Sequence, residues 1–538
     1  MAHPVNKEAI HVGEALETLV HQFADPWSFL RELIQNAIDA GSQEIDVRID
    51  HEPDDDPAEP GMLIVEIVDT GEGMDRQIID TRLTRLFSSS KEGDYTKIGR
   101  FGIGFVSVFA IDPELVCVDT GRNGEFWRVL FKRDRSFERI VLEQPTEGTT
   151  VRLYKRGDEA NLAEARERAR ATLEYWCKHA RVEIRLDGEL ISRPLELHGH
   201  CVIEHHEEDT QLLLAYVTQR EALRGYYHGG LTLHEEHDDR LPHIAIKIDS
   251  RYLEHTLTRD NVIRDDNYEK AMAIVARLAR TRLLEALLTA CEEAARARRF
   301  DETSEFLRAR LLEQINAEGK LEIDVFARPI VPVVEGEPVS LAEVRRRIKS
   351  CWQAPGSSPL TRHLQARGDL VLELPVGSRL GLLIMTHAER APTEVATVCM
   401  PSPANVKERA TWDRLRAAVL RVLGGLGHKL GDIALGHLAY PGSAVAEHVA
   451  ITQASFGELT RIEEIGELSS GWFRSGRTVV VNADHPTVVH LLELADGEPE
   501  LAAYLLLKLF FLRSKLDPKL DGKLASLATE ARWQRSIG

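Results

Sequence analysis

Apolar residues recur at three- and four-residue steps at the amino end: Leu16, Leu19, Val20 and Phe23, then Phe29, Leu30, Leu33, Ile34 and Ile38. That is the period of an amphipathic helix, and Asp25-Pro26 divides it, because proline is tolerated only in a helix's first turn. The spacing predicts one helix before residue 25 and another over 26–40. The period then drops to two. Ile45, Val47 and Ile49 alternate with Glu44, Asp46 and Arg48, and 62–68 repeats the strand pattern after the acidic, turn-rich stretch 51–61. Neither glycine nor proline interrupts 75–86, which predicts a helix, and small and polar residues continue as a loop to Gly104. Strand-like runs follow at 115–119, 126–131, 140–142 and 150–154, so residues 1 to about 155 read as one α/β sandwich.

A helix over 162–180 leads to strands at 182–186, 212–217 and 244–248. One long helix is predicted over 266–297, where Met272, Val275, Ala279, Leu283 and Leu287 share a face. Another covers 301–317, and 321–334, with Pro329 and Pro332, reads as strand and linker. Beyond it strands such as 370–374 and 380–385 alternate with helices such as 412–424 and 499–513.

The 538 residues exceed what one core organises, so about two to four domains are expected. Hydrophobic residues at 43% and charged residues at 28% fit a soluble globular protein. The 67 Lys plus Arg against 86 Asp plus Glu leave a net charge of −19, which counts against a non-specific grip on nucleic acid or anionic lipid. Arg345, Arg346, Arg347 and Lys349 form a basic helix face of the kind more often solvated than bound to nucleic acid. The opening residues carry no basic-then-apolar signal, and the apolar stretch 504–512 is broken by Lys508 and far shorter than the roughly 20 residues of a membrane span, so a cytoplasmic location is expected. The six cysteines contain no C-x-x-C pair, which argues for scattered reduced thiols. The histidines at 198, 200, 205, 206, 228, 234, 237 and 243 read as structural or solvated rather than metal-binding.

Candidate chemistry lies in four elements. On the helix 26–40, at about 100° per residue, Glu32, Asn36 and Asp39 fall at about 0°, 40° and −20°, one narrow polar face. A carboxylate, an amide and a carboxylate there suit a hard cation and an activated water, although a solvated helix face has the same pattern. The strand 62–68 ends in Asp69-Thr70-Gly71-Glu72-Gly73-Met74, which puts a carboxylate beside glycine backbone that a flat ring can approach closely. This suits an adenine, with Gly73 and Met74 as wall, but many turns share the motif. Ser88-Ser89-Ser90-Lys91 and then Ile98-Gly99-Arg100-Phe101-Gly102-Ile103-Gly104-Phe105 open an apolar helix, an arrangement able to turn amides toward phosphate without being a Walker loop. Gly148-Thr149-Thr150 enters a strand and could bring a hydroxyl to the same pocket.

In this order and spacing the four elements resemble the GHKL superfamily of ATPases, whose Bergerat fold is shared by gyrase, histidine kinases, MutL proteins and the ninety-kilodalton heat-shock chaperones, the last being the nearest likeness. The resemblance implies a catalytic Glu32 acting on water, Asn36 as the Mg²⁺ ligand, Asp69 reading adenine, Asp39 in support and Thr149 completing the base pocket. It implies a lid over about 75–104, in which Lys91, Gly99, Phe101, Gly102, Ile103, Gly104 and Phe105 meet ATP. It further implies Arg259, in Leu257-Thr258-Arg259-Asp260-Asn261-Val262, as the arginine that reaches the γ-phosphate, with Arg259 pairing to Asp260 or Asp265 as the plainer alternative. Ile263 departs from the chaperone pattern, where a polar side chain is expected.

The implied architecture is an α/β sandwich over 1–160, a transducer-like α/β middle domain over 161–300, and a mixed α/β region over 301–538. The implied activity is a Mg²⁺-dependent ATPase working as a chaperone-like clamp on protein clients and as a homodimer; the apolar helix 501–512 is a candidate dimer element, although such a helix is more often simply buried core. The rivals are a nucleic-acid-directed clamp of the MutL or topoisomerase kind and a non-hydrolysing ATP-gated sensor in a stress or defence system.

Overall fold

The computed structural model describes residues 25–537, apart from 57–58, 85–102, 255, 257–260, 318–322, 428–431, 466–476 and 513–515. Asp25 accepts from the Trp27 amide at 3.0 Å and starts a single 3-10 turn, Pro26–Ser28, that runs directly into helix α1, Phe29–Asp39. The expected apolar face of α1 is buried: Phe29, Leu30, Leu33, Ile34 and Ala37. Gly41, at φ +80°, ends it in a conformation that favours glycine.

Strands β1 (Glu44–Glu52), β2 (Met62–Asp69), β3 (Leu115–Arg122), β4 (Glu125–Lys132), β5 (Phe137–Val141) and β6 (Thr149–Arg156) form most of one sheet. Helix α2, Glu159–Trp176, is opened by a reciprocal cap between Asp158 and Asn161, and strands β7 (Glu183–Leu186) and β8 (Glu189–Leu190) follow. The sheet order is β5-β4-β3-β6-β2-β1-β7-β8, antiparallel throughout except where β1 and β7 run parallel. One continuous core joins α1, α2 and the inner face of this sheet, and it includes Ala165, Ala169, Leu173, Ile184 and Leu186. Residues 161–190, grouped by sequence pattern with the following segment, thus complete the first sheet. On its other face Asp119 is held by Arg128 at 2.6 Å and Arg152 at 2.8 Å, while Arg152 also meets Glu66 at 2.6 Å. These ion pairs outweigh the effect of burial and hold the Asp119 carboxyl below its usual range.

A second sheet follows, from β9 (His200–Glu207), β10 (Thr210–Tyr216), β11 (Ala222–His228), β12 (Leu231–Asp238) and β13 (Ile244–Ser250), ordered β12-β11-β13-β10-β9. Among the histidines here, His205 and His206 pair with Glu207 and Glu204. By compactness the chain divides into two units, Met1–Leu283 and Leu284–Gly538. The second contains a three-stranded parallel sheet and a mixed four-stranded sheet whose core is shared with helices Val406–Gly425, Pro486–Ala495, Pro499–Leu512 and Pro518–Ile537. Among the described residues no helix is long and apolar enough to cross a membrane.

Several expectations are corrected. The long helix over 266–297 is two helices, Asp266–Arg280 and Arg282–Arg296, with Thr281 between them at φ −112°, ψ −86°. The Thr281 hydroxyl donates to the Arg277 carbonyl at 2.8 Å, a side-chain bond of the kind that bends helices. The predicted strand 380–385 is a helix, Arg379–Ala388, because Ser378 caps it through the Gly381 amide and Leu380, Leu383 and Ile384 take helical spacing into the core. The predicted helix 75–86 is a short helical turn, Arg76–Ile78, followed by a π-turn, Ile79–Leu83. The helix 501–512, whose pattern reads as buried core more readily than as a dimer element, has Ala502, Ala503, Leu506, Leu507, Phe510 and Phe511 buried in the core of its own unit. The helix predicted before residue 25 lies outside the described residues.

In the second unit His437 stands between two carboxylates, Nδ1 at 2.7 Å from Asp484 and Nε2 at 3.1 Å from Glu408. Burial lowers its affinity for a proton, but the two carboxylates outweigh this and raise it above the ordinary histidine value. A raised folded-state value means stabilisation that is fully present below the unfolded value of about 6.5 and is lost as pH rises through the higher folded value. Denaturant unfolding at pH 6 and pH 8.5 is expected to show a loss of at most about 1 kcal/mol on the alkaline side, absent in His437→Gln.

Candidate functional site

Strand register builds the floor of the site. β6 lies between β2 and β3, so Asp69, Thr149 and Thr120 form one cross-strand row and Ile67, Val151 and Val118 form the next row on the same face. Against that face lie Leu33, Asn36, Ala37 and Asp39 of α1 and Ala40 just after it, and between them is a cleft of about 280 Å³. The polar row is tightly held. The Thr120 hydroxyl accepts from the Met74 amide at 2.8 Å, donates to the Gly148 carbonyl at 3.2 Å and stands 3.1 Å from the Thr149 hydroxyl. Asp69 accepts from the Gly71 amide at 2.8 Å. Burial raises its carboxyl above the usual range, partly offset by the Gly71 and Thr149 amides.

Two glycines permit this closeness. At Gly73, φ +66°, an added Cβ would lie 2.1 Å from the Gly121 carbonyl oxygen, and at Gly148, φ +65°, 1.9 Å from that of Asp69. Gly148→Ala is therefore expected to destabilise the unit by about 2 kcal/mol or more, through positive φ and backbone overlap together. Thermal melting checks this, and an unchanged melting temperature would contradict the argued crowding.

On α1, Asn36 and Asp39 are exposed and line the cleft, Asp39 accepting from Gln35 at 3.1 Å. Glu32, one turn earlier, is only 7% exposed and faces the start of helix Ile103–Val106, since a Cβ on Gly104 would stand 2.7 Å from its Oε2. The neighbouring Arg31 fixes the helix from behind. It is buried, lies 4.4 Å above the Trp176 ring of α2, and is lowered to about 10 by that burial. An amide oxygen and a carboxylate at the open part of a cleft fit a hard cation that keeps several waters.

Thus Asn36, Asp39, Asp69, Gly73, Met74, Phe105 and Thr149 line one cleft, while Glu32 and Gly104 meet beside it. Ile103 begins the short helix there. Lys91, Gly99, Phe101, Gly102 and Arg259 lie outside the described residues. Sequence reasoning missed Arg82, Ile78 and Leu83, and it missed Arg122 with Glu72, an ion pair of 2.6 Å among the lining residues. Period-two alternation from Val118 through Thr120 to Arg122 carried that signal, but only once the inward face of β3 was known.

Residues 24–149 match the family described as histidine kinase-, DNA gyrase B-, and HSP90-like ATPase. The chain is similar to the chaperone protein HtpG of Anaplasma phagocytophilum, 32% identical over 174 residues, 28% of this chain and 27% of that protein. It is also similar to HtpG of Nitrosospira multiformis, 26% identical over 264 residues, 43% of this chain and 39% of that one. HtpG of Paraburkholderia xenovorans is 27% identical over 223 residues, 35% and 33% of the two chains. The matches therefore span between about a quarter and two fifths of the length of these relatives. With Asp69 at the strand end, glycine walls and an asparagine-bearing helix around one cleft, residues 24–149 are a GHKL-type ATPase domain.

Proposed function

We propose that the chain is a Mg²⁺-dependent ATPase of the heat-shock-chaperone kind, in which ATP binding closes the segment 75–104 over the cleft and docks the remaining part of the middle segment, 191–300, to act on protein clients. The observation that carries this reading is the meeting of Asp69, Thr149, Asn36 and Asp39 in one cleft, with the buried Glu32 beside Gly104. In this reading Asp69 accepts from the exocyclic amine of adenine, and the apolar row Ile67, Val151 and Val118 packs its ring. Glu32 orients or deprotonates the attacking water. Asn36 holds Mg²⁺, which when bound neutralises charge on the phosphate oxygens. Arg259, Lys91 and the lid glycines enter through sequence likeness alone. Homodimerisation and protein clients are supported by the similarity to chaperones.

Steady-state phosphate release with ATP tests the reading. Turnover is expected with Mg²⁺ and is expected to stop with EDTA. Nucleotide binding without release would make the chain an ATP-gated module, release stimulated by DNA at low salt would favour a nucleic-acid clamp, and absence of binding would sink the reading altogether.

A further inference from the structure

A second cavity, of about 370 Å³, lies on the β9–β13 sheet, on the face that carries Ala245 and Lys247. Part of its wall is apolar, from Leu197, Val217, Ala222, Leu223 and Ala245, and His198, Gln219 and His237 stand in the polar part. Lys247 also lines it, yet is only 7% exposed. Burying an ammonium without an anionic partner is costly, so its partners decide what the cavity is for.

Of the carboxylates that act on Lys247, Glu196 is exposed in the lining at more than ion-pair distance, and two further carboxylates nearby are already engaged. Glu235 pairs with Lys178 at 2.9 Å and accepts from the Tyr227 hydroxyl, while Asp249 pairs with Arg181 at 2.9 Å and accepts from the Gly230 amide at 3.1 Å. Among the described residues none stands within ion-pair distance of Lys247. Its one hydrogen-bond partner among the described residues is neutral, with Nζ 2.8 Å from His179 Nε2, and the same ammonium lies 5.6 Å from the centre of the Tyr227 ring. His179 Nδ1 stands 3.1 Å from the Pro194 carbonyl, so it carries the hydrogen and Nε2 can only accept from the lysine. Burial first, and Lys247 next, lower His179 to about 4, which keeps it an uncharged acceptor near neutral pH. Burial first, and Lys178 next, lower Lys247 to about 8, so that most of it remains ammonium at pH 7.

We propose that this cavity binds a small monocarboxylate with an aliphatic body, its carboxylate accepting from the free donors of Lys247 and its chain lying on Leu197, Val217 and Leu223. Lys247 is the one lysine of a lining that also carries His198 and His237, and a single ammonium suits a single negative charge. The exposed Glu196 and Glu221, also in the lining, disfavour a multiply charged anion such as phosphate. The volume is at the small end of ligand sites.

Hexanoate is the probe and hexanamide, of the same shape without charge, its control, both titrated calorimetrically into the full chain. Hexanoate is expected to bind at least about tenfold more tightly than hexanamide, and to slow acetylation of Lys247 by an N-hydroxysuccinimide ester, read by peptide mass spectrometry. Lys247→Met is expected to weaken hexanoate about tenfold or more, with the fold verified by circular dichroism. Leu223→Trp, which fills the cavity and keeps the lysine, is expected to do the same. Absence of hexanoate binding, equal binding of hexanamide, tighter binding of inorganic phosphate, or an acetylation rate at Lys247 indifferent to hexanoate would each overturn the proposal.

Discussion

Glu32→Ala is expected to bind ATP within about threefold of the native chain and to release phosphate at least about 100-fold more slowly. The separation follows from where the carboxylate stands. It is on the same helix as Asn36, one turn away, but buried against Gly104 rather than lining the cleft proposed to take the base. Its loss is therefore expected to leave the contacts proposed to read adenine in place and to remove the group proposed to position water. Glu32→Gln keeps the volume and is expected to behave as Ala does, which separates proton chemistry from packing. Single-turnover release, with equilibrium binding measured on the same samples, decides it. Turnover at the native rate in either variant removes Glu32 from the chemistry, and joint loss of binding and turnover would make its role structural.

Asp69→Asn is expected to weaken nucleotide binding about 10- to 100-fold while leaving the fold as stable as before, or more so. The Gly71 amide requires an acceptor at Oδ1. In the asparagine the amide oxygen takes that place, and its NH₂ group then faces the exocyclic amine of adenine, donor against donor. Stability moves the other way. A carboxyl whose folded-state value is raised carries a penalty for ionisation that grows as pH rises from the unfolded value through the folded one, and is complete above it. The neutral amide removes that penalty at pH 7. Titration with ATP beside thermal melting reads both effects, and a large loss of melting temperature accompanying the loss of binding would mean that Asp69 serves the fold before the ligand.

Much of this site was legible from residue type and spacing. Asp69 followed by Gly71 and Gly73 marks a strand end with close backbone approach, and the helical spacing of Glu32, Asn36 and Asp39 puts them near one another whatever surrounds them. What was not legible came from elements that acquire meaning only through a neighbour. Arg122 looks like any strand-end arginine until β3 is known to lie beside β6. The run at 380–385 has the apolar density of a strand, and the Ser378 cap and core contacts made it a helix. Helix 501–512 is apolar all round, a pattern shared by a buried helix and an exposed dimer seam, and the surrounding core resolved it.

The sequence by itself determined most of the order of elements in the ATPase domain, the strand-end position of Asp69 and the glycines beside it, because these depend on local backbone geometry and on periods of two and 3.6 residues. Only the tertiary structure decided that Glu32 is buried against Gly104 while Asn36 and Asp39 stay open, that Arg122 and Glu72 pair among the residues lining the cleft, and that Lys247 is buried without a carboxylate partner among the described residues. Burial and ion pairing are properties of residues brought together from distant parts of the chain, and no window of local sequence contains both partners.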